Sequence, residues 1–320
     1  MLSLPGLGYS DPAMSDLLRL LLIGTFALTL TVRAGTQSVP SDTAVQSVEL
    51  DVVVLGADER PLRHLEQRDF QIKEDGRPVT LTGFREVSVA GISGRDDSRS
   101  VVLLLDDNSV PLMATTIMQN IAKLFLSFAR PSDTISVIRL THREDEAAGG
   151  LPSALERIDE YRTGSLSYFG RDMRDDALQT VARVSKELEP NEHQRKVLVC
   201  IGAREVCDPY LLQPEDSLLW GSWREALVAT ARANASVYAV SPAGVGGRLD
   251  LGGGFADNTG GGVFVRSNDL ERQARLIWDE ASHYYLVRYT PSHQHRNIHK
   301  ISVSVRPPHG VVRARHARGD

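Results

Sequence analysis

This chain has no surplus of positive charge. Its 36 lysines and arginines stand against 41 acidic residues, for a formal net charge of -5, so no bulk basic field draws nucleic acid to it. The basic residues that do cluster, Arg313, Arg315, His316 and Arg318, have no aromatics among them and read as a solvated tail. A long apolar run is missing too. The run at 20–32 is about thirteen residues, short of the roughly twenty that a membrane-spanning helix needs. No Gly-Lys-Ser/Thr closes a phosphate loop on the glycine-rich stretch 244–254, which reads instead as a loop at a ligand-binding edge. There is no Gly-x-Ser-x-Gly and no nucleophile triad. The nine histidines lack metal spacing, and His293, His295 and His299 fall in a polar turn that reads as solvated. An enzyme is therefore the least supported function class, and no catalytic residue is expected.

What is present is ordinary for a globular protein: 42% hydrophobic and 24% charged residues in 320, enough for one large or two modest domains. Residues 1–34 read as a signal peptide. Arg19 precedes the apolar run, and Val32 and Ala34 occupy the small-residue positions before a cleavage site. Residues 35–47 are small and polar, a linker. The expectation is an exported chain, in the periplasm, in the cell envelope or outside the cell, with membrane attachment only if the signal segment stays uncleaved.

Residues 48–92 then take up a period of two. Phe70 and Ile72 share one face and Gln71 and Lys73 the other, and Glu74-Asp75-Gly76-Arg77 predicts a type I′ hairpin. About forty residues of strand are marginal alone. The end of the chain, 283–320, offers partners, with Tyr285, Val287 and Tyr289 on one face and Ile301, Val303 and Val305 on another. The two β-rich ends are expected to pack together around an inserted middle.

The middle, 98–282, changes rhythm. Apolar strands at 100–105, 135–140, 197–202, 236–240 and 263–265 alternate with amphipathic helices. One helix aligns Ile117, Ile121, Leu124, Phe125 and Phe128; the next aligns Met173, Ala177, Val181, Val184 and Leu188. Asn268 with Glu271 has capping-box spacing. The pattern predicts an α/β fold with a doubly wound, mostly parallel sheet, flanked by the small antiparallel module.

The pieces VVLLLDDNSV, RPSDTISVIRLT, VYAV, FADNTGGGVFV and SHYYLVRYTP occur in an order that resembles bacterial von Willebrand factor A-domain proteins of the VWFA-related kind. DFQIKEDGRPVTLTGF resembles the β module that precedes the domain in that group. The resemblance implies a Rossmann-like A domain at 98–282 that binds ligands at the carboxyl ends of its strands. It also implies a Mg²⁺ site with an Asp-x-Ser-x-Ser loop, a threonine from a second loop and an aspartate after a later strand. In this chain Asp106 matches the first aspartate and Asn108 replaces the first serine. Val110 replaces the second serine, and Ala203, followed by Arg204, replaces the last aspartate. Thr163, Ser165 or Ser167 stands for the threonine.

Mg²⁺ wants near-octahedral oxygens and sheds water reluctantly. With two oxygens lost and a guanidinium added, no metal is expected; if a cation is held, Asp106, Asn108 and Thr163 are its ligands. The acidic cluster reads instead as the cap of the following helix, with Arg204 pairing Asp106 or Asp107. Cys200 reads as a buried small hydrophobe, and reduced or alternative pairing is favoured over a bond to Cys207.

The expected function is non-catalytic protein binding through a face made by Asp106, Asp107, Asn108, Ser109, Thr163 and Arg204. No cofactor and no nucleic acid are involved, and the partner is another protein. The alternative is a Mg²⁺-dependent adhesin with a rebuilt site.

Overall fold

A computed structural model describes residues 47–89, 98–142, 144–145, 149–164, 171–190, 194–209, 217–242, 254–264, 269–291, 298–306 and 310–319. The expected signal segment, most of the glycine-rich stretch, Ser165, Ser167, His293, His295 and the side chain of Arg204 lie outside them. Among the described residues no helix is long and apolar enough to cross a membrane.

The fold is α/β, with one five-stranded parallel sheet and two separate antiparallel sheets. The parallel sheet is built from β5 (Arg99–Leu105), β6 (Thr134–Arg139), β7 (Arg195–Ile201), β8 (Ala235–Val240) and β9 (Gly262–Phe264), in the order β6-β5-β7-β8-β9. The apolar run at 101–105 is unbroken because β5 is covered on both faces. Val101, Leu103 and Leu105 pack under α1 (Thr115–Leu126), α2 (Leu151–Glu160) and α7 (Leu270–Ser282). Val102 and Leu104 pack under α3 (Arg171–Leu188) and α5 (Ser217–Ala233).

α3 buries Met173, Ala177, Val181, Val184 and Leu188, the face its period indicates. α1 differs: it buries Met118, Ile121, Ala122, Phe125 and Leu126 and leaves Ile117 exposed. One turn of 3-10 helix at Leu112–Ala114 precedes α1, and Met118 rather than Ile117 packs against the sheet. The cap of α7 also differs from expectation. It is Asp269, whose carboxylate accepts the Arg272 N–H at 3.0 Å.

The antiparallel sheets take strands from both ends of the chain. One is ordered β12-β1-β10-β4, from β12 (Val312–Arg313), β1 (Val48–Val54), β10 (His283–Tyr289) and β4 (Leu81–Ser88). The other is β13-β11-β2-β3, from β13 (Ala317–Gly319), β11 (Ile298–Val305), β2 (Phe70–Glu74) and β3 (Arg77–Pro78). The Asp75-Gly76 turn joins β2 to β3 with φ of 49° and 79°, the doubly positive conformation of a type I′ turn. Leu50, Val52, Phe70, Ile72, Tyr285, Val287, Tyr289, Ile301 and Val305 fill the space between the sheets.

A buried ion pair joins this module to the N-terminal edge of the parallel sheet. Arg195 Nη1 on β7 meets Asp51 Oδ2 on β1 at 2.6 Å, and the guanidinium lies 5.1 Å from the Tyr284 ring centre. Arg99 on β5 donates twice to Asp133 and once to Ser282 Oγ, and stacks over Trp278 at 4.4 Å. Two of the basic residues near the C-terminus, Arg313 and Arg315, are not in a solvated tail; His316 is exposed and the side chain of Arg318 lies outside the described residues. Arg315 is buried and donates to Glu49 O at 2.6 Å, and Arg313 Nε lies 3.3 Å from Glu280 Oε2. His299 is likewise fully buried on β11, with Nδ1 at 2.9 Å from Asp75 Oδ2. Pairing in sheets and with carboxylates draws these groups inside, which a local reading of polarity does not register.

Candidate functional site

The chain enters the parallel sheet at β5, turns one way to β6, then returns across β5 to β7. The carboxyl ends of β5 and β7 therefore flank the point where the strand order reverses, and a crevice forms there in open parallel sheets. Asp106 and Asp107 leave β5 at this point, and Gly202 and Ala203 leave β7. The loop through Thr163 follows α2 and comes alongside, because the Gly164 N–H donates to Asp107 O.

The Asp106 carboxylate is buried and fully engaged. Oδ1 accepts the N–H groups of Asn108 (3.3 Å) and Ser109 (2.9 Å). Oδ2 accepts the Ser109 hydroxyl and the Ala203 N–H, the latter at 2.9 Å. Those four bonds use the roughly four acceptor positions a carboxylate has. Gly202 permits the approach, since a methyl group there would collide with the Asp106 side chain. The buried Tyr161 hydroxyl donates to Asp106 O at 2.6 Å, and burial, with the charges of Asp106 and Asp107, pushes its pKa up.

Asp107 serves a second cluster. It accepts the Thr141 N–H (3.1 Å) and hydroxyl (2.5 Å), and His142 Nδ1 lies 2.9 Å from its Oδ2. The loop that carries Thr141 and His142 is itself held. Asp145 is gripped by the Arg139 backbone and guanidinium, all at 2.9 Å, and by Arg157 at 2.7 Å. Burial works to raise the Asp145 pKa, but the hydrogen bonds from Arg139 outweigh it and hold the carboxyl below its usual range.

Of the residues that the sequence marks, Asp106, Asp107, Asn108, Ser109 and Thr163 come together at this edge. Thr163 Oγ1 sits 3.0 Å from Thr115 Oγ1 and 3.4 Å from Pro111 O, so it ties its loop to the start of α1. The acidic cluster does not cap α1. The residue before that helix is Ala114, without a side-chain cap, and the turn before it starts after Pro111, also uncapped. The carboxylates are drawn to the N–H groups of their own loop and of the β7 loop, which lie nearer.

Thr141, His142, Tyr161 and Gly164 were not marked by sequence. The available signal was position: Thr141 and His142 follow β6 directly, and residues at strand carboxyl ends converge in such sheets.

The cysteines are joined. Cys200 and Cys207 form a disulfide with Cα atoms 5.3 Å apart, contrary to the reduced or alternatively paired state expected. The single turn α4 (Arg204–Cys207) supplies the fold-back, with the Val206 and Cys207 N–H groups both donating to Ala203 O.

The donor set does not fit a divalent cation. Val110 is buried in the apolar core, Ala203 contributes an N–H where an oxygen is needed, and the Asp106 oxygens are taken. Among the described residues no three His, Cys, Asp or Glu side chains converge. Next to this satisfied polar cluster lie exposed apolar side chains: Leu112 (62%), Met113 (87%) and Ile117 (48%).

No protein-family model matches this chain, and no curated protein resembles it significantly. Fold and site together define an α/β protein with its candidate binding edge at the switch point of a parallel sheet.

Proposed function

We propose that this chain is an exported, non-catalytic protein-binding protein of the von Willebrand factor A type, working without a bound cation. It presents the C-terminal edge of its parallel sheet to another protein. The observation that carries this is the contrast at that edge. The carboxylates are satisfied internally, while Leu112 and Met113 on the turn that follows, and Ile117 at the start of α1, project into solvent. Exposed apolar groups beside a rigid polar frame suit a protein contact better than a small polar substrate. The strand order and the order of the sequence pieces support the A-domain assignment. Export is supported by the charge-core-small-residue order of 19–35 and by the disulfide, which persists in oxidising compartments.

The test is capture from the envelope of the source organism by the wild-type chain and by a Leu112→Asp/Met113→Asp variant, each with Mg²⁺ and with EDTA. The expected result is a partner held by the wild type in both buffers and lost by the variant. Capture abolished by EDTA replaces this reading with the cation-dependent adhesin. Equal capture by the variant removes the strand-end edge as the binding face.

A further inference from the structure

The strand-end edge has a continuous chain of links, and only one link is covalent. Asp106, after β5, holds the Ala203 N–H, after β7. Ala203 O accepts the N–H groups of Val206 and Cys207. Cys207 is bonded back to Cys200, inside β7. The next residue, Asp208, is buried and accepts the Ala256 N–H at 2.8 Å, in the short helix α6 (Phe255–Asn258) that leads into β9. Gly254 lies so close to the Asp208 carboxylate that no side chain fits there. The loop after β7 is thus tied to β5 on one side and to the approach of β9 on the other. The turn that makes both ties is α4, four residues long, too short to be stable by its own hydrogen bonds.

We infer that the Cys200–Cys207 disulfide keeps this edge assembled, so that the binding face is formed in the oxidised chain and released by thiol reduction. This rests on the strand-end edge being the binding face. The disulfide fixes Cys207 over the end of β7, and α4 then presents the Ala203 N–H to Asp106 and the Asp208 carboxylate to α6. On reduction by a dithiol, two electrons and two protons pass to the protein. The S–S bond breaks, two thiols form, and the reductant closes its own disulfide. Both sulfur-bearing residues are buried, so exchange passes through opening of α4. The edge consequently answers to redox poise where the related site type would answer to a cation.

Hydrogen–deuterium exchange of the whole chain tests this without any partner, so failure of the protein-binding reading would leave its outcome intact. The oxidised chain is compared with dithiothreitol-reduced chain and with a Cys200→Ala/Cys207→Ala variant. Amides of 202–208, Ser109 and Ala256 should exchange at least about tenfold faster in both, while β1, β10 and β11 keep their protection. Adding Mg²⁺ to the reduced chain should restore nothing. Unchanged exchange at the edge overturns the inference. So does equal loss across all strands, which would make the bond a support of the whole fold, and so does recovery with Mg²⁺.

Discussion

At the scale of single residues, Asp106 does work that its position next to a helix disguises. Its carboxylate serves three backbone N–H groups and one hydroxyl from two loops. Removing it strands donors in a buried place, each costing on the order of 1–3 kcal/mol. Asp106→Ala should therefore destabilise by about 2–4 kcal/mol, more than a lost helix cap at roughly 1 kcal/mol. On the proposed reading without a cation, urea titrations with Mg²⁺ and with EDTA should give the same loss. A loss confined to Mg²⁺ buffer would make Asp106 a metal ligand after all.

At the scale of elements, α1 buries a different face from the one its apolar spacing alone suggests, because packing against the sheet selects the face. Ile117 and Met118 are neighbours of similar hydrophobicity, yet Met118 is fully buried and Ile117 is half exposed. Truncating a buried methionine leaves a cavity and costs about 2–5 kcal/mol, whereas an exposed site stays within about 0.5 kcal/mol. Met118→Ala should lower the denaturation midpoint strongly and Ile117→Ala barely. Reversal of the two would return α1 to the face its apolar spacing alone suggests.

At the scale of the molecule, the buried Arg195–Asp51 pair at the N-terminal edge of the parallel sheet fastens it to the β module. Asp51→Ala would leave Arg195 charged, buried and without its carboxylate, a change costing about 3–5 kcal/mol. All three tryptophans lie outside the module, at 220, 223 and 278. If the pair couples the two parts, tryptophan fluorescence and far-ultraviolet dichroism should shift together in this variant. Separate transitions would mean that the module unfolds by itself.

Glu280 gives the pH dependence of the same junction. Burial raises its pKa, against the charge of Arg313 and the hydrogen bond from Tyr238 Oη at 2.9 Å. The folded chain then holds this proton more tightly than the unfolded one. Its contribution is complete below the ordinary glutamate value of about 4.3 and is lost as pH rises through the raised folded value. Glu280→Gln keeps an acceptor for Tyr238 and cannot ionise. Its stability in urea should fall less than that of the wild type as pH rises above the ordinary glutamate value of about 4.3, and parallel curves for the two proteins would rule Glu280 out as the source.

The sequence by itself determined what repeats locally. Alternation marked β2 and β10, the unbroken apolar run marked β5 as covered on both faces, Asp75-Gly76 marked the hairpin, and the period of α3 marked its buried face. These follow from backbone geometry acting over a few residues. Tertiary structure alone decided which partners the polar groups find. His142 reaches Asp107 across 35 positions and Ala203 reaches Asp106 across 97, because strand order, not chain proximity, sets which loops meet at the sheet's carboxyl edge. The same holds for Cys207, which comes within bonding distance of Cys200 only because α4 turns back. Arg315 and His299 go inside because sheet pairing carries them there and a buried polar group must then find a partner.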